Sequence, residues 1–177
     1  MKTIFNKTIL VVALASIVLL GCKKKDEEPE PEPTPTPTAA PTGTLQGTID
    51  GTVYTSDKVS TMCVWNGGGY TIDGAKIDNG VTKGMSVSFK CAQGAALGTY
   101  AIETSTALTA GHFIGGYRTD TLNYSTSLVS TATGTLTVTA FGSSAISGTF
   151  NFTGAKLVNG TETKTVTSGS FTDVKVY

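Results

Sequence analysis

The sequence predicts an all-β fold, an antiparallel β-sandwich or flattened β-barrel of about 8–10 short strands, preceded by a signal peptide and a disordered linker. Three observations carry this expectation. Apolar and polar residues alternate with period two through most of the chain after Gly43, as in strands with one buried face. Asn79-Gly80 and Asn159-Gly160 are residue pairs that accept positive φ in tight hairpin turns. The sustained apolar run, Ile9 to Leu20, lies at the very start, and no later stretch keeps a 3.6-residue apolar stripe over three helical turns.

Residues 1–21 read as a signal peptide. Lys2 and Lys7 supply a positive start, and Ile9 to Leu20 is apolar except for Ser16. A spanning helix needs about 20 apolar residues, so this run has the proportions of a secretory leader instead. It closes on Leu19-Leu20-Gly21-Cys22, which resembles the lipobox of bacterial lipoproteins. The resemblance implies that Cys22 becomes the first mature residue, bearing thioether-linked diacylglycerol and an N-acyl chain. One myristoyl chain binds a bilayer only marginally, but each further buried methylene adds about 0.8 kcal/mol, so two or three long chains hold firmly. A plain signal peptide with an incidental cysteine, or a short uncleaved anchor, is the alternative.

Residues 22–42 form the linker. All six prolines of the chain lie here, interleaved with Glu and Thr, and no large apolar side chain is present. Such a segment cannot bury enough surface to offset ordering. At about 3.1 Å per residue in an extended polyproline conformation, it spans up to roughly 60 Å. A spacer is the favoured reading, and a docking ligand of the PxxP type is the other. Lys23-Lys24-Lys25 followed by Asp26-Glu27-Glu28 resembles the start of Bacteroidota lipoproteins, in which early acidic residues act as a surface-export signal.

Residues 43–177 are long enough for a single β domain. Eight basic and eight acidic side chains balance there, with no basic stripe, which excludes nucleic acid as a natural partner. Strands are expected near 44–50, 52–56, 59–66, 69–77, 82–91, 97–103, 112–118, 121–128, 134–141, 145–153 and 162–176. Met85, Val87, Phe89 and Cys91 share one face of their strand, and Leu136 and Val138 share another. Ile146, Gly148, Phe150 and Phe152 do the same, with Thr and Ser opposite, where β geometry favours Thr. Glu103 to Ala110 is expected to form a short helical turn.

The runs Ile146-Ser147-Gly148-Thr149-Phe150-Asn151-Phe152-Thr153 and Thr167-Ser168-Gly169-Ser170-Phe171-Thr172-Asp173-Val174 add a second resemblance. With the lipobox and the Lys/acid/Pro linker, they resemble an uncharacterised family of small Bacteroidota outer-membrane lipoproteins that end in such a hairpin. The resemblance implies glycines at turns and phenylalanines pointing inward, and it carries fold and location but no activity.

Chemistry-bearing residues are few. Cys63 and Cys91 remain once Cys22 is lipidated, and both alternate onto inward faces, Cys63 with Val59 and Trp65. In an oxidising compartment they are a candidate disulfide worth about 3.5 kcal/mol; two buried free thiols are the alternative. His112 is the single histidine and no GxSxG surrounds any serine, so no catalytic residue is assigned. No metal site and no cofactor are implied, since zinc needs more imidazole or thiolate. Asp73-Gly74 and Asp78-Asn79-Gly80 read as turns, lacking the spaced ligands and closing Glu of a calcium loop. Trp65-Asn66-Gly67-Gly68-Gly69-Tyr70 is the favoured ligand contact, offering Trp65 and Tyr70 as stacking faces, with Phe113, Tyr117 and Arg118 as a second cluster. Asp120-Thr121-Leu122 resembles a Bacteroidota O-glycosylation pattern, which implies modification at Thr121.

The expected function is a lipid-anchored outer-membrane protein, surface-exposed rather than periplasm-facing, acting as a non-catalytic binding or structural β module. Its expected partners are the membrane through its lipid, and a glycan or another envelope protein. A lipocalin-like carrier with a cavity lined by Phe89, Phe150 and Phe152 is the alternative. A polysaccharide hydrolase is a third reading and requires two carboxylates or His112 in one cleft.

Overall fold

The computed structural model describes residue 40 and residues 42–127, 129–157 and 161–177. The signal peptide, Cys22 and the linker as far as residue 39 lie outside the described residues. Ala40, assigned to the linker, is buried.

The chain is all-β. In order, the strands are β1 (Thr44–Ile49), β2 (Thr52–Thr55), β3 (Met62–Trp65), β4 (Tyr70–Asp78), β5 (Val81–Phe89) and β6 (Gly98–Ile102). They continue as β7 (His112–Arg118), β8 (Asn123–Ser125), β9 (Gly134–Phe141), β10 (Ala145–Lys156) and β11 (Thr163–Lys175). They hydrogen-bond in the order β2-β1-β11-β10-β9-β6-β7-β5-β4-β3. Cys63 of β3 then bridges Val176, just past β11, with the Tyr177 amide donating to the Cys63 carbonyl at 2.9 Å. This joins β3-β4-β5-β7-β6-β9-β10-β11 into a closed barrel of eight strands, with β1–β2 and β8 as extra strands. At eight strands a barrel interior is just wide enough for side chains to fill. Two contacts in the barrel depart from the antiparallel expectation: β6 runs parallel to β7, and the closing Cys63–Val176 bridge is parallel.

Period-two burial is visible along the strands. On β5, Met85, Val87 and Phe89 are inside, and on β10 so are Ile146, Gly148, Phe150 and Phe152. The interior is packed by phenylalanines lying on backbone. Gly148 pairs with Phe171 and Gly169 with Phe150, in direct register across β10–β11. A Cβ on Gly148 would come within 2.5 Å of the Phe171 ring, and one on Gly169 within 2.5 Å of the Phe150 ring. The glycines of the closing motif therefore sit in mid-strand and not at turns. They are needed because a ring covers the place where a side chain would go. β11 also carries two bulges against β10, next to Ser168 (φ 49°) and Asp173 (φ 47°). Such bulges bend and twist the strand, as a closing barrel requires.

Two local expectations fail for the same reason. The strand expected at 59–66 starts only at Met62, after a 3-10 turn over Lys58–Ser60 that leaves Val59 95% exposed. Here Ser56 Oγ accepts the Leu45 amide at 2.8 Å, Thr61 Oγ1 donates to the Asp57 carbonyl at 2.8 Å, and the Asp57 amide donates to Ala75 O. Hydroxyls thus satisfy buried backbone that a ladder would otherwise serve. Between β6 and β7, residues 103–110 form no helix. The Glu103 carboxylate takes the amides of Thr104, Ser105 and Thr109 and the Thr109 hydroxyl (2.7 Å), so these donors are unavailable to a helical turn.

Candidate functional site

At one end of the barrel, the glycine turn between β3 and β4 brings Trp65 opposite Tyr70, with ring centroids 4.9 Å apart. Tyr70 is only 3% exposed and continues inward to Phe141 at 5.2 Å and Phe89 at 5.8 Å. Its hydroxyl accepts the Gly94 amide at 3.1 Å. Tyr70 is therefore a core side chain with no free face for a sugar, and half-buried Trp65 caps it. A shallow depression of about 350 Å³ lies beside the turn, lined by Asn66, Gly69, Lys90 and Leu108.

The second expected cluster is separated by the pleat of β7. Phe113 and Tyr117 point into the barrel, and Arg118 points out. Arg118 makes a bidentate pair with Asp73, at 3.2 and 3.1 Å, on the rim of an outer groove floored by Gly84, Ser86 and Gly116. Phe113 and Arg118 therefore cannot share a ligand. Thr121 is exposed in the β7–β8 turn, where the neighbouring Asp120 carboxylate accepts the Thr82 amide at 2.9 Å.

Cys63 and Cys91 are free thiols. The register explains why the candidate disulfide does not form. Cys63 pairs with Ile72 and Ile72 with Val87, so the β5 residue level with Cys63 lies four positions before Cys91. Two strand spacings of about 4.8 Å already exceed the roughly 7 Å Cα separation a bridge tolerates. Burial, and then the charge of a Cys91 thiolate, push the Cys63 thiol up to about 12. His112 Nδ1 lies 3.0 Å from Thr109 Oγ1, which donates to Glu103. The trio ties down an exposed loop. The Thr109 hydroxyl, with the Ser105 and Thr109 amides, holds the Glu103 carboxyl at about 2, so it stays ionised.

The opposite end of the barrel assembles a site that the sequence reading missed. There the Asp50-Gly51 turn of β1–β2 and the Asn79-Gly80 turn of β4–β5 meet the start of β11, and all four turn residues have positive φ. Between them lies a cavity of about 230 Å³. Its floor is Tyr54 and Tyr117, buried and edge-to-face at 6.4 Å, with Tyr124 stacked behind Tyr117 at 6.2 Å. The Tyr54 hydroxyl donates to the Gly74 carbonyl at 2.8 Å, and burial, then the charge of Asp73, push its pKa upward. Lys76, Lys83 and Lys164 rim the cavity with Asp50 and Asp78. Lys164 donates to Asp50 at 2.9 Å and Lys83 to Asp78 at 2.8 Å, and these hydrogen bonds hold both carboxyls below their usual range. Lys76 stands 3.9 Å from Asp78 and 5.4 Å from the Tyr54 ring centroid. Of the expected residues, only Tyr117 belongs here. The one sequence signal was a pair of turn dipeptides, Asp50-Gly51 and Asn79-Gly80, the second flanked by the lysine-bearing strands β4 and β5.

Among the described residues, no group of three or more His, Cys, Asp or Glu side chains could hold a metal ion. No curated protein and no solved structure matches the chain. A family model does match, over residues 41–175, and covers all eleven strands: the chain belongs to the family described as "Domain of unknown function (DUF6252)".

Proposed function

We propose that this chain is a lipid-anchored protein of the bacterial outer membrane, surface-exposed, whose barrel is a non-catalytic binding or structural module held off the bilayer by its proline-rich linker. The anchor rests on the lipobox at Cys22 and the export reading on the Lys/acid run after it. The observation that carries the module reading is the filled interior. Phe89, Phe150 and Phe152, which would line a carrier's cavity, are each at most 3% exposed, and two of them lie directly on glycine backbone. That favours contacts on the outside and at the ends over an enclosed apolar ligand. Against a hydrolase stands the direction of the carboxylate shifts. A general acid is tuned upward, whereas cations or hydroxyls hold Asp50, Asp78, Glu103 and Glu162 down.

Growth with labelled palmitate tests the anchor. The wild-type chain is expected to carry label and to fractionate with outer membrane, and Cys22→Ala to lose both. Equal labelling of the two refutes it. Protease accessibility on intact cells separates surface exposure from a periplasmic orientation.

A further inference from the structure

We propose that the Tyr54–Lys76 cavity at the barrel end is a binding site for a single acidic sugar residue, a pyranose bearing one carboxylate. The proposal rests on the reading of the barrel as a binding module and is independent of the anchor. Size comes first. At about 230 Å³ the cavity is smaller than the roughly 300–1,000 Å³ of sites for drug-sized ligands, so it suits one small unit or the terminal unit of a chain.

Charge comes second. Three ammonium groups face two carboxylates across the cavity, leaving one positive charge in excess. The excess has an address. Asp78 Oδ2 is committed to Lys83 at 2.8 Å, so Lys76, at 3.9 Å from the same oxygen, is held loosely. A single carboxylate completes the set, whereas a doubly charged group overshoots it. The remaining lining mixes Thr52 with apolar side chains. Tyr54, 2% exposed, has its ring buried beneath Lys76, so the apolar side chain open to a ligand is Val53, 62% exposed. One cation beside an exposed aliphatic side chain matches a sugar ring, which has an apolar C–H face and, when oxidised, a carboxylate at its edge.

The test titrates the ¹⁵N-labelled full chain in detergent with glucuronate, glucose and inorganic phosphate at constant ionic strength. Glucuronate is expected to shift the amides of Gly51, Thr52, Val53 and Lys76 saturably, and to bind about tenfold tighter than glucose, as one charge-assisted hydrogen bond implies. Lys76→Gln is expected to remove that preference and Lys76→Arg to keep it. Asp78→Asn, which frees a second ammonium, is expected to tighten glucuronate binding, a gain that misfolding cannot mimic. Equal binding of glucuronate and glucose, tighter binding of phosphate, shifts mapping elsewhere, or indifference to Lys76→Gln would each overturn the site. A chain that fails here yet still carries palmitate loses this site and keeps its anchor.

Discussion

Replacing Gly115 by alanine isolates the packing that fills the barrel. Gly115 lies on β7 with ordinary negative-φ backbone, so alanine meets no conformational barrier there. What it meets is Phe152. The new Cβ would stand 2.4, 2.5 and 2.7 Å from Cδ1, Cγ and Cε1 of that ring, where carbons rest at about 3.5–4.0 Å. The ring must therefore retreat by about 1 Å, yet it is 2% exposed and stacked on Phe150 at 6.1 Å. Two terms of opposite sign compete. Alanine restricts the unfolded chain, a gain of about 0.4–1 kcal/mol, and overpacking costs about 1–3 kcal/mol or more. The upper part of the overpacking range applies because the clash is with a ring that has nowhere to go, so the net loss is about 2 kcal/mol. With a urea slope of about 1–3 kcal/mol/M, the unfolding midpoint falls by about 1 M. Gly116→Ala is the control. Its Cβ would crowd Ser86 Oγ at 2.8 Å, a rotatable group on the outer face, and meet the Tyr124 carbonyl at an ordinary 3.7 Å, so the effect stays within about 0.5 kcal/mol. Phe152→Leu in the Gly115→Ala background restores room, so the double variant loses less than the two single losses added. A Gly115→Ala chain as stable as wild type, or strict additivity, would mean that the interior has slack, and the argument against a carrier would go with it.

Three further outcomes follow from the geometry. Alkylation of the unfolded, unreduced chain followed by peptide mass spectrometry should find Cys63 and Cys91 both modified; a 63–91 bridged peptide contradicts the register described above. Glu103, ordinarily at 4.5, titrates near 2 in the folded loop, so its contribution is present above pH 4.5 and lost as pH falls from there toward 2. Amide exchange at Ser105 and Thr109, corrected for intrinsic rates, should accelerate over that interval, and Glu103→Gln should abolish the difference. Arg118→Ala, which removes a half-exposed bidentate pair with Asp73, should cost under about 1 kcal/mol in the same urea titration; a larger loss would mean that the pair supports the β4–β5–β7 wall.

The fold was legible because a strand with one wet face writes its burial into alternate residues. β5, β9 and β10 could be read almost to their ends from Met85-Val87-Phe89, Leu136-Val138 and Ile146-Phe150-Phe152. Errors arose where a side chain replaced a ladder. Ser56 and Thr61 made a 3-10 turn of an expected strand, and Glu103 made a tied loop of an expected helical turn. Residue type alone does not say which amide a hydroxyl or carboxylate will meet. The cysteines failed for a different reason. Alternation turns Cys63 fully inward and Cys91, just past β5, partly so, but a bond also needs level positions, and level is set by the pairing of Cys63 with Ile72 and of Ile72 with Val87.

The closing motif shows why the recognisable part of this sequence says so little about chemistry. Gly148 facing Phe171, Gly169 facing Phe150, and the bulges at Ser168 and Asp173 all bend or fill β10–β11. Their spacing is fixed by barrel closure, so it repeats as a readable pattern within thirty residues. The residues around the Tyr54 cavity obey no such spacing. Asp50, Tyr54, Lys76, Lys83, Tyr117 and Lys164 come from five strands or their turns, and only closure of the circuit makes them neighbours. Each taken singly reads as a solvated lysine, a turn aspartate or a core tyrosine. A rigid barrel that spends its periodic sequence on its own shape leaves recognition to side chains at strand ends, where turns can vary without disturbing the core.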